Sequence, residues 1–139
     1  MSWHLAAALG VVMTLGLAPA EQPRSRQPAI AEIGRPFTVA AGGRVRFKNE
    51  PLELGFTRVV MDSRCPKGAE CITAGVAVVT MWVSNGGARS PQELRTDPPA
   101  AARVVQGPYT IALEKLAPYP ELGRRIAPRY VATFVVRKP

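Results

Sequence analysis

The chain has 139 residues, with 18 Lys or Arg and 10 Asp or Glu, so its net charge at neutral pH is +8. This length suits a single domain with a real hydrophobic core, while the two cysteines alone cannot fill the four ligand positions of a tetrahedral zinc site. The charge is compatible with an anionic partner, but 14 of the 18 basic residues are Arg, which the base composition of a genome also produces. No run of five or six basic residues occurs.

The N-terminus has the layout of a secretory signal peptide. An apolar run from Leu5 to Leu17 is followed by Ala18-Pro19-Ala20, a small–x–small cleavage signature. The run is shorter than the about 20 apolar residues of a transmembrane helix. We predict a cleaved, helical signal peptide over 1–20 and export to the periplasm or the extracellular space, with an uncleaved anchor as the alternative. Cleavage removes His4, the only histidine, and with it histidine-dependent nucleophilic catalysis.

Beyond the signal peptide, alternation of apolar and polar residues dominates. Polar, proline-bearing residues predict a flexible lead-in over 21–32, and a single β-domain follows over 33–139. Strands are predicted at 44–48, at 52–60 with a bulge near Gly55–Arg58, at 76–83, 109–115 and 130–138, and with weaker patterns at 37–39 and 93–95. Short helical turns are predicted within 100–105 and 121–126. The predicted class is all-β, a small antiparallel β-sandwich or a partly open barrel.

Both cysteines lie in one short stretch, DSRCPKGAECITAG, over 62–75. An exported protein meets oxidising conditions, in which two cysteines normally pair. The five residues between Cys65 and Cys71 include Pro66 and Gly68, which favour a turn. We therefore predict a structural disulfide, with a reactive dithiol and a metal site as the alternatives. Closing so small a ring stabilises a fold by about 2 kcal/mol.

Two charged residues at the start of this stretch admit two interpretations. Asp62 and Arg64 are a candidate recognition pair if they share a strand face. In the structural interpretation, Asp62 accepts hydrogen bonds from turn amides and Arg64 reaches a neighbouring strand or carbonyl. Gly75 lies where the loop enters the next strand and permits a close approach of the backbone.

The stretch DSRCPxxxxCxxAG, followed by an apolar strand, resembles a module of small bacterial exported proteins and lipoproteins of uncharacterised function. The resemblance runs from Ile33 to Val136 and includes the segments FTVAAGGRVRF, YTIALEKLAPYP and YVATFVV. Members of this module commonly carry an aromatic residue after the second cysteine, where this chain has Ile72-Thr73. The resemblance implies a β-rich exported domain and supplies no catalytic residue and no ligand.

Trp82 and Tyr119, both outside the loop, are candidates for contacts with a ligand or partner, and two methionines raise the question of a soft-metal site. Trp82 is a candidate stacking platform, although a tryptophan in this setting more often packs on a strand face. Met61 and Met81 are isolated methionines that we interpret as core filler rather than as ligands of a soft metal. Tyr119, between two prolines, is predicted either to contact a partner or to lie across the sandwich edge.

The remaining inventory predicts no metal and no cofactor. Asp62 and Asp97 are the only aspartates and the eight glutamates are dispersed, so no calcium loop is present. No glycine-rich phosphate or dinucleotide loop occurs. The one enzymatic alternative is a small hydrolase built on two carboxylates that meet in space.

Three hypotheses of function follow. The first is a non-enzymatic exported β-domain, a binding or structural module with a disulfide-stapled loop. The second is a cell-envelope protein that binds an anionic component through its Arg-rich surface, and clustering of Arg on one face would favour it. The third is the hydrolase, which requires two carboxyl groups about 5–10 Å apart in a cleft. The expected partner is an anionic envelope component or another envelope protein, and export disfavours nucleic acid.

Overall fold

The computed structural model describes residues 28–125 and 129–139. The predicted signal peptide and the lead-in as far as residue 27 lie outside these ranges, as do residues 126–128. Within them, no helix is long and apolar enough to cross a membrane. The nine strands are β1 (Ala29–Ala31), β2 (Phe37–Ala40), β3 (Arg44–Phe47), β4 (Leu52–Asp62), β5 (Ala77–Asn85), β6 (Ser90–Arg95), β7 (Arg103–Gln106), β8 (Tyr109–Ala117) and β9 (Val131–Arg137), and a 3₁₀ helix spans Pro99–Ala102.

The strands form two sheets, and the predicted all-β class is confirmed as a two-sheet sandwich. The five-stranded sheet has the order β1-β3-β4-β5-β6, and the four-stranded sheet has the order β2-β9-β8-β7. Neighbouring strands are antiparallel except β1 and β3, which run parallel. Stretches distant in sequence, such as β2 and β9, therefore pair directly.

The core lies between the two sheets, where the strands turn one set of alternating side chains inward. Phe37 and Phe134 come from the four-stranded sheet, and Phe47 and Phe56 come from the five-stranded sheet. Ring centroids lie 5.2 Å apart between Phe37 and Phe47 and 6.3 Å apart between Phe56 and Phe134. Both pairs meet edge to face, the arrangement that aromatic rings favour. These contacts join the two sheets.

The structure differs from the sequence predictions in a few elements. β1 lies within the predicted lead-in, and β7 follows the 3₁₀ helix in a stretch predicted to be helical. Glu121 forms an isolated bridge to Lys67 rather than a helical turn. The predicted bulge of β4 is present, because the register shifts between Phe56 and Arg58, and a second shift follows between Val59 and Met61.

The second register shift corrects the prediction for Met61. Met81 is 1% exposed and belongs to the core, as predicted, but Met61 is 46% exposed. Met61 pairs with Val78, whose neighbour Val79 points into the core. The extra residue in β4 therefore turns the Met61 side chain to the outer face of the sheet.

Candidate functional site

The predicted disulfide is confirmed. Cys65 and Cys71 are bonded, with their Cα atoms 5.9 Å apart. The two arms of the loop continue the pairing of β4 with β5, because the Ser63 amide donates to the Val76 carbonyl at 2.9 Å and the Cys65 amide to the Ala74 carbonyl at 2.8 Å. The bond thus closes the tip of an extended hairpin. We call residues 62–75 the stapled loop.

Gly75 allows the two arms of the stapled loop to meet. Its φ is +68°, and a Cβ at this position would lie 1.7 Å from the Ser63 carbonyl oxygen. Only glycine combines this backbone conformation with so close an approach.

Asp62 and Arg64 form an almost completely buried ion pair, with side chains 6% and 7% exposed. The Arg64 guanidinium donates to both carboxylate oxygens of Asp62, from Nε at 2.8 Å and from Nη2 at 2.7 Å. It also donates to the carbonyls of Leu116 at 2.8 Å and Pro118 at 3.0 Å. The Tyr130 hydroxyl donates to Asp62 at 3.1 Å. The pair joins the end of β4 to the end of β8 and to the start of β9.

This environment shifts two pKa values. Burial acts to raise the pKa of Asp62, but the hydrogen bonds and the charge of Arg64, with the hydrogen bond from Tyr130, outweigh it and leave the pKa lowered. The pKa of the Tyr130 hydroxyl is raised by burial and by the Asp62 carboxylate. Asp62 is therefore a stable anion, and its ion pair with Arg64 holds the ends of neighbouring strands together.

The stapled loop is also held against the connection between β8 and β9. The Lys67 amide donates to the Pro120 carbonyl at 2.9 Å, and the Leu122 amide donates to the Lys67 carbonyl at 3.0 Å. Tyr119 is 42% exposed, and Nζ of Lys67 lies 5.8 Å from the centre of its ring. The Arg64 guanidinium carbon is 4.8 Å from the centre of its ring. Tyr119 therefore packs across the sandwich edge and also presents part of its ring to solvent.

A cleft of about 370 Å³ opens beside this contact, and its lining includes Arg64, Asp97, Glu114 and Tyr119. The third hypothesis requires two carboxyl groups across such a cleft, which here are Asp97 and Glu114. The Glu114 carboxylate lies 3.6 Å from the Arg137 guanidinium, so an ion pair already engages one of the two.

A second polar cluster lies near the other end of β9, and no sequence pattern indicated it. Glu50 accepts hydrogen bonds from the Tyr109 hydroxyl and from Lys138 at 3.2 Å. The hydrogen bond from Tyr109, followed by that from Lys138, lowers the pKa of Glu50. The same bond to Glu50, together with burial, raises the pKa of Tyr109. The cluster fastens the end of β9 to the turn between β3 and β4.

The outer surface of the five-stranded sheet gathers arginines that are far apart in sequence. Residues that pair across strands share a face, so Arg44 lies beside Gly55 and Trp82, and Arg58 beside Thr80. We call this surface the arginine face. Its exposed basic residues are Arg44, Arg46, Arg58, Arg89 and Arg95, and its acidic residues are Glu53 and Glu93.

Most of these arginines are not paired with the acidic residues of the described ranges. Arg44 reaches Glu53 at 3.9 Å, which is a weak surface contact. Salt bridges to Arg46, Arg58, Arg89 and Arg95 do not occur among the residues that the structure describes. Their guanidinium donors therefore remain open to solvent or to a ligand.

Trp82 lies at the centre of the arginine face. A Cβ added to Gly55 would lie 2.1 Å from Cε2 of the indole, so the ring rests directly on the Gly55 main chain. The Arg89 guanidinium carbon lies 3.9 Å from the centre of the ring. Since Gly55 occupies one face of the indole, Arg89 covers the other. Shallow depressions of about 310 Å³ and 610 Å³ lie on the two sides of this stack.

No cluster of three or more His, Cys, Asp or Glu side chains that could hold a metal ion occurs within residues 28–125 and 129–139. The comparisons with known proteins add no relative. No family model matches the chain. No curated protein matches it, and no solved structure does. The resemblance of residues 62–75 to an exported bacterial module therefore stays a prediction.

Proposed function

We propose that this protein is an exported, non-enzymatic β-domain that binds an anionic polymer of the cell envelope through the arginine face. One observation carries the proposal: within the part of the chain that the structure describes, five exposed guanidinium groups and two carboxylates share the outer surface of one sheet. The base composition of a genome can explain why the chain has many arginines, but it does not explain why five of them lie on one face. A surface with a net positive charge of this kind attracts polyanions and releases their counterions on binding.

The stapled loop has a supporting role in this proposal. Asp62 and Arg64 are almost completely buried and their hydrogen bonds lie within the domain, which supports a role in holding the end of the sandwich. The Cys65–Cys71 bond is compatible with an oxidising exported location. The rigid sandwich then presents the arginine face as a fixed surface.

Retention of the full chain on immobilised heparin and on lipopolysaccharide, measured over a series of salt concentrations, tests the proposal. One triple variant removes charge from the face: Arg46→Gln, Arg58→Gln and Arg95→Gln. A matched triple removes the same charge from exposed arginines elsewhere: Arg35→Gln, Arg103→Gln and Arg124→Gln.

We expect affinity to fall steeply with salt, and the face triple to lower the slope of log K against log salt by about 2–3. The control triple should change the slope much less. Equal effects of the two triples, or no retention at low salt, would show that the charge reflects composition only.

A further inference from the structure

We infer that the arginine face contains a subsite for one acidic sugar unit, with the anionic group held between Arg44 and Arg89 and the sugar ring seated beside Trp82. This inference rests on the proposed function and assigns its ligand to a class, the carboxylated glycans. It depends on the stack of Gly55, Trp82 and Arg89 and on the two depressions that flank it.

The stack prepares Arg89 for an anion. A free arginine side chain loses rotamer entropy when it binds, but the indole already holds this guanidinium at 3.9 Å from its ring centre. Stacking uses the face of the guanidinium and leaves its N–H groups, which point outward in its plane, free to donate. A planar guanidinium matches a carboxylate with two parallel hydrogen bonds. The Arg89 guanidinium is therefore held in position, with its N–H donors exposed, before any ligand binds.

The smaller depression supplies the rest of the anion site. Its lining combines Arg44 and Arg89 with Thr57, Trp82 and the backbone of Gly42 and Gly43. Two arginines and one threonine therefore contribute to the lining, which includes no acidic residue. A guanidinium can bind a carboxylate with two parallel hydrogen bonds, and the Glu53 carboxylate, at 3.9 Å from the Arg44 guanidinium, is beyond hydrogen-bond distance and leaves these donors available to a second carboxylate.

The larger depression has the chemistry of a sugar site. Its lining includes Thr57, Arg58, Thr80, Trp82 and Glu93. Sugar hydroxyls both donate and accept hydrogen bonds, and here they meet hydroxyls, a carboxylate acceptor and a guanidinium donor beside an aromatic edge. Thr57 and Trp82 line both depressions, so the two spaces adjoin. A sugar ring and its acidic substituent can occupy both spaces together.

Glu93 favours a carboxylated glycan over a dense polyphosphate. It lies opposite Thr80 on the outer face, in the larger depression. A polymer with closely spaced phosphates would bring negative charge against this carboxylate, which costs free energy. A glycan carries its charge on a substituent and presents hydroxyls from its ring. Those hydroxyls can donate to Glu93 while the acidic group lies in the other depression.

Fluorescence of Trp82 provides a direct test. Trp3 is the only other tryptophan, so the full chain with Trp3→Phe reports on this site alone. The probes are an oligogalacturonate, its fully methyl-esterified form with the same rings and no charge, and inorganic polyphosphate. The variants are Arg89→Gln and Glu93→Ala, with Arg103→Gln on the other sheet as the control.

We expect saturable changes in Trp82 emission with oligogalacturonate, and about tenfold weaker binding of it by Arg89→Gln. The methyl ester should bind far more weakly, and Arg103→Gln should behave as the parent protein. Glu93→Ala should weaken the binding of oligogalacturonate and strengthen that of polyphosphate. If Glu93→Ala strengthens both, or if the ester binds as well as the acid, the sugar subsite is wrong while the polyanion face stands. If no anionic probe binds, the proposed function falls as well.

Discussion

Asp62 and Arg64 illustrate what the fold requires of single residues. Two charges removed from water stabilise a protein only when hydrogen bonds satisfy them fully. Arg64 meets this condition through Asp62 and the carbonyls of Leu116 and Pro118, and Asp62 also accepts from Tyr130. Loss of either partner leaves a buried charge without its counterion. The pair therefore matters for stability.

The lowered pKa of Asp62 predicts how stability depends on pH. Because the pKa is lower in the folded state than its ordinary value of 3.8, the stabilisation is present above that value. It is lost as the pH falls through the folded pKa. At neutral pH, Asp62→Asn should lower the free energy of unfolding by about 3 kcal/mol, because it leaves Arg64 buried without a counterion.

Urea denaturation over a series of pH values checks this expectation, with Asp97→Asn as a control at an exposed aspartate. The difference between the parent protein and Asp62→Asn should shrink in acid, because Asp62 of the parent then becomes neutral too. A difference that stays constant down to the lowest pH would contradict the assignment of the ion pair.

Gly55 gives a second residue-scale prediction. A methyl group at this position would lie 2.1 Å from the Trp82 ring, whereas a Cβ at Gly87 meets no atom within 4 Å. Gly55→Ala should therefore displace the indole and lower the free energy of unfolding by about 1–3 kcal/mol, as overpacking does. The emission spectrum of Trp82 should change as well. Gly87→Ala should alter neither quantity, and an unchanged spectrum for Gly55→Ala would contradict the stack.

At the scale of elements, the stapled loop is held by a covalent bond and by the pairing of its arms. The Cys65–Cys71 bond restricts the unfolded chain, and the arms continue the β4–β5 hairpin. Replacement of both cysteines by Ser should lower the free energy of unfolding by about 1–3 kcal/mol. The sheets should persist, because the strands bury most of the apolar side chains.

Urea denaturation followed by far-ultraviolet circular dichroism measures both effects, and the parent protein treated with reductant is the matched control. Thiol titration of protein purified without reductant should find no free thiol. Two free thiols, or loss of the β spectrum in the double variant, would contradict a structural staple.

The elements that can be predicted from the sequence are those whose residue pattern is local, within one strand or one loop. Strands with clear alternation, such as β3, β8 and β9, lie where predicted, and the spacing of the two cysteines together with the predicted export is enough to predict the disulfide. β1 has three residues and depends on parallel pairing with β3, which no local pattern reveals. The arginine face also depends on register between strands. Only its β3 portion, where Arg44 and Arg46 alternate with core residues, was visible in the sequence.

At the scale of the whole molecule, the strand order brings arginines that are far apart in sequence onto one surface. β3, β4, β5 and β6 are neighbours in one sheet, and the arginines of β3, β4, β6 and the β5–β6 turn lie on the same outer face. The sandwich buries the opposite side of these strands, and the stapled loop closes one end. The binding that we propose for this surface would need no conformational change, because the fold already gathers these arginines on one face.

The last prediction concerns the chain as it is made and exported, and it links the N-terminus to the disulfide. The apolar run that ends in Ala18-Pro19-Ala20 predicts cleavage after Ala20, and the exported compartment is the one in which Cys65 and Cys71 oxidise. In a bacterial host with a periplasm, we expect the protein recovered from that fraction to begin at Glu21 and to contain no free thiol. A variant without residues 2–20 should stay in the cytoplasm with both thiols reduced. N-terminal sequencing and thiol titration of the two fractions measure this. Periplasmic protein that still begins at Met1 would indicate an uncleaved anchor, and full-length protein found only in the cytoplasm would refute export.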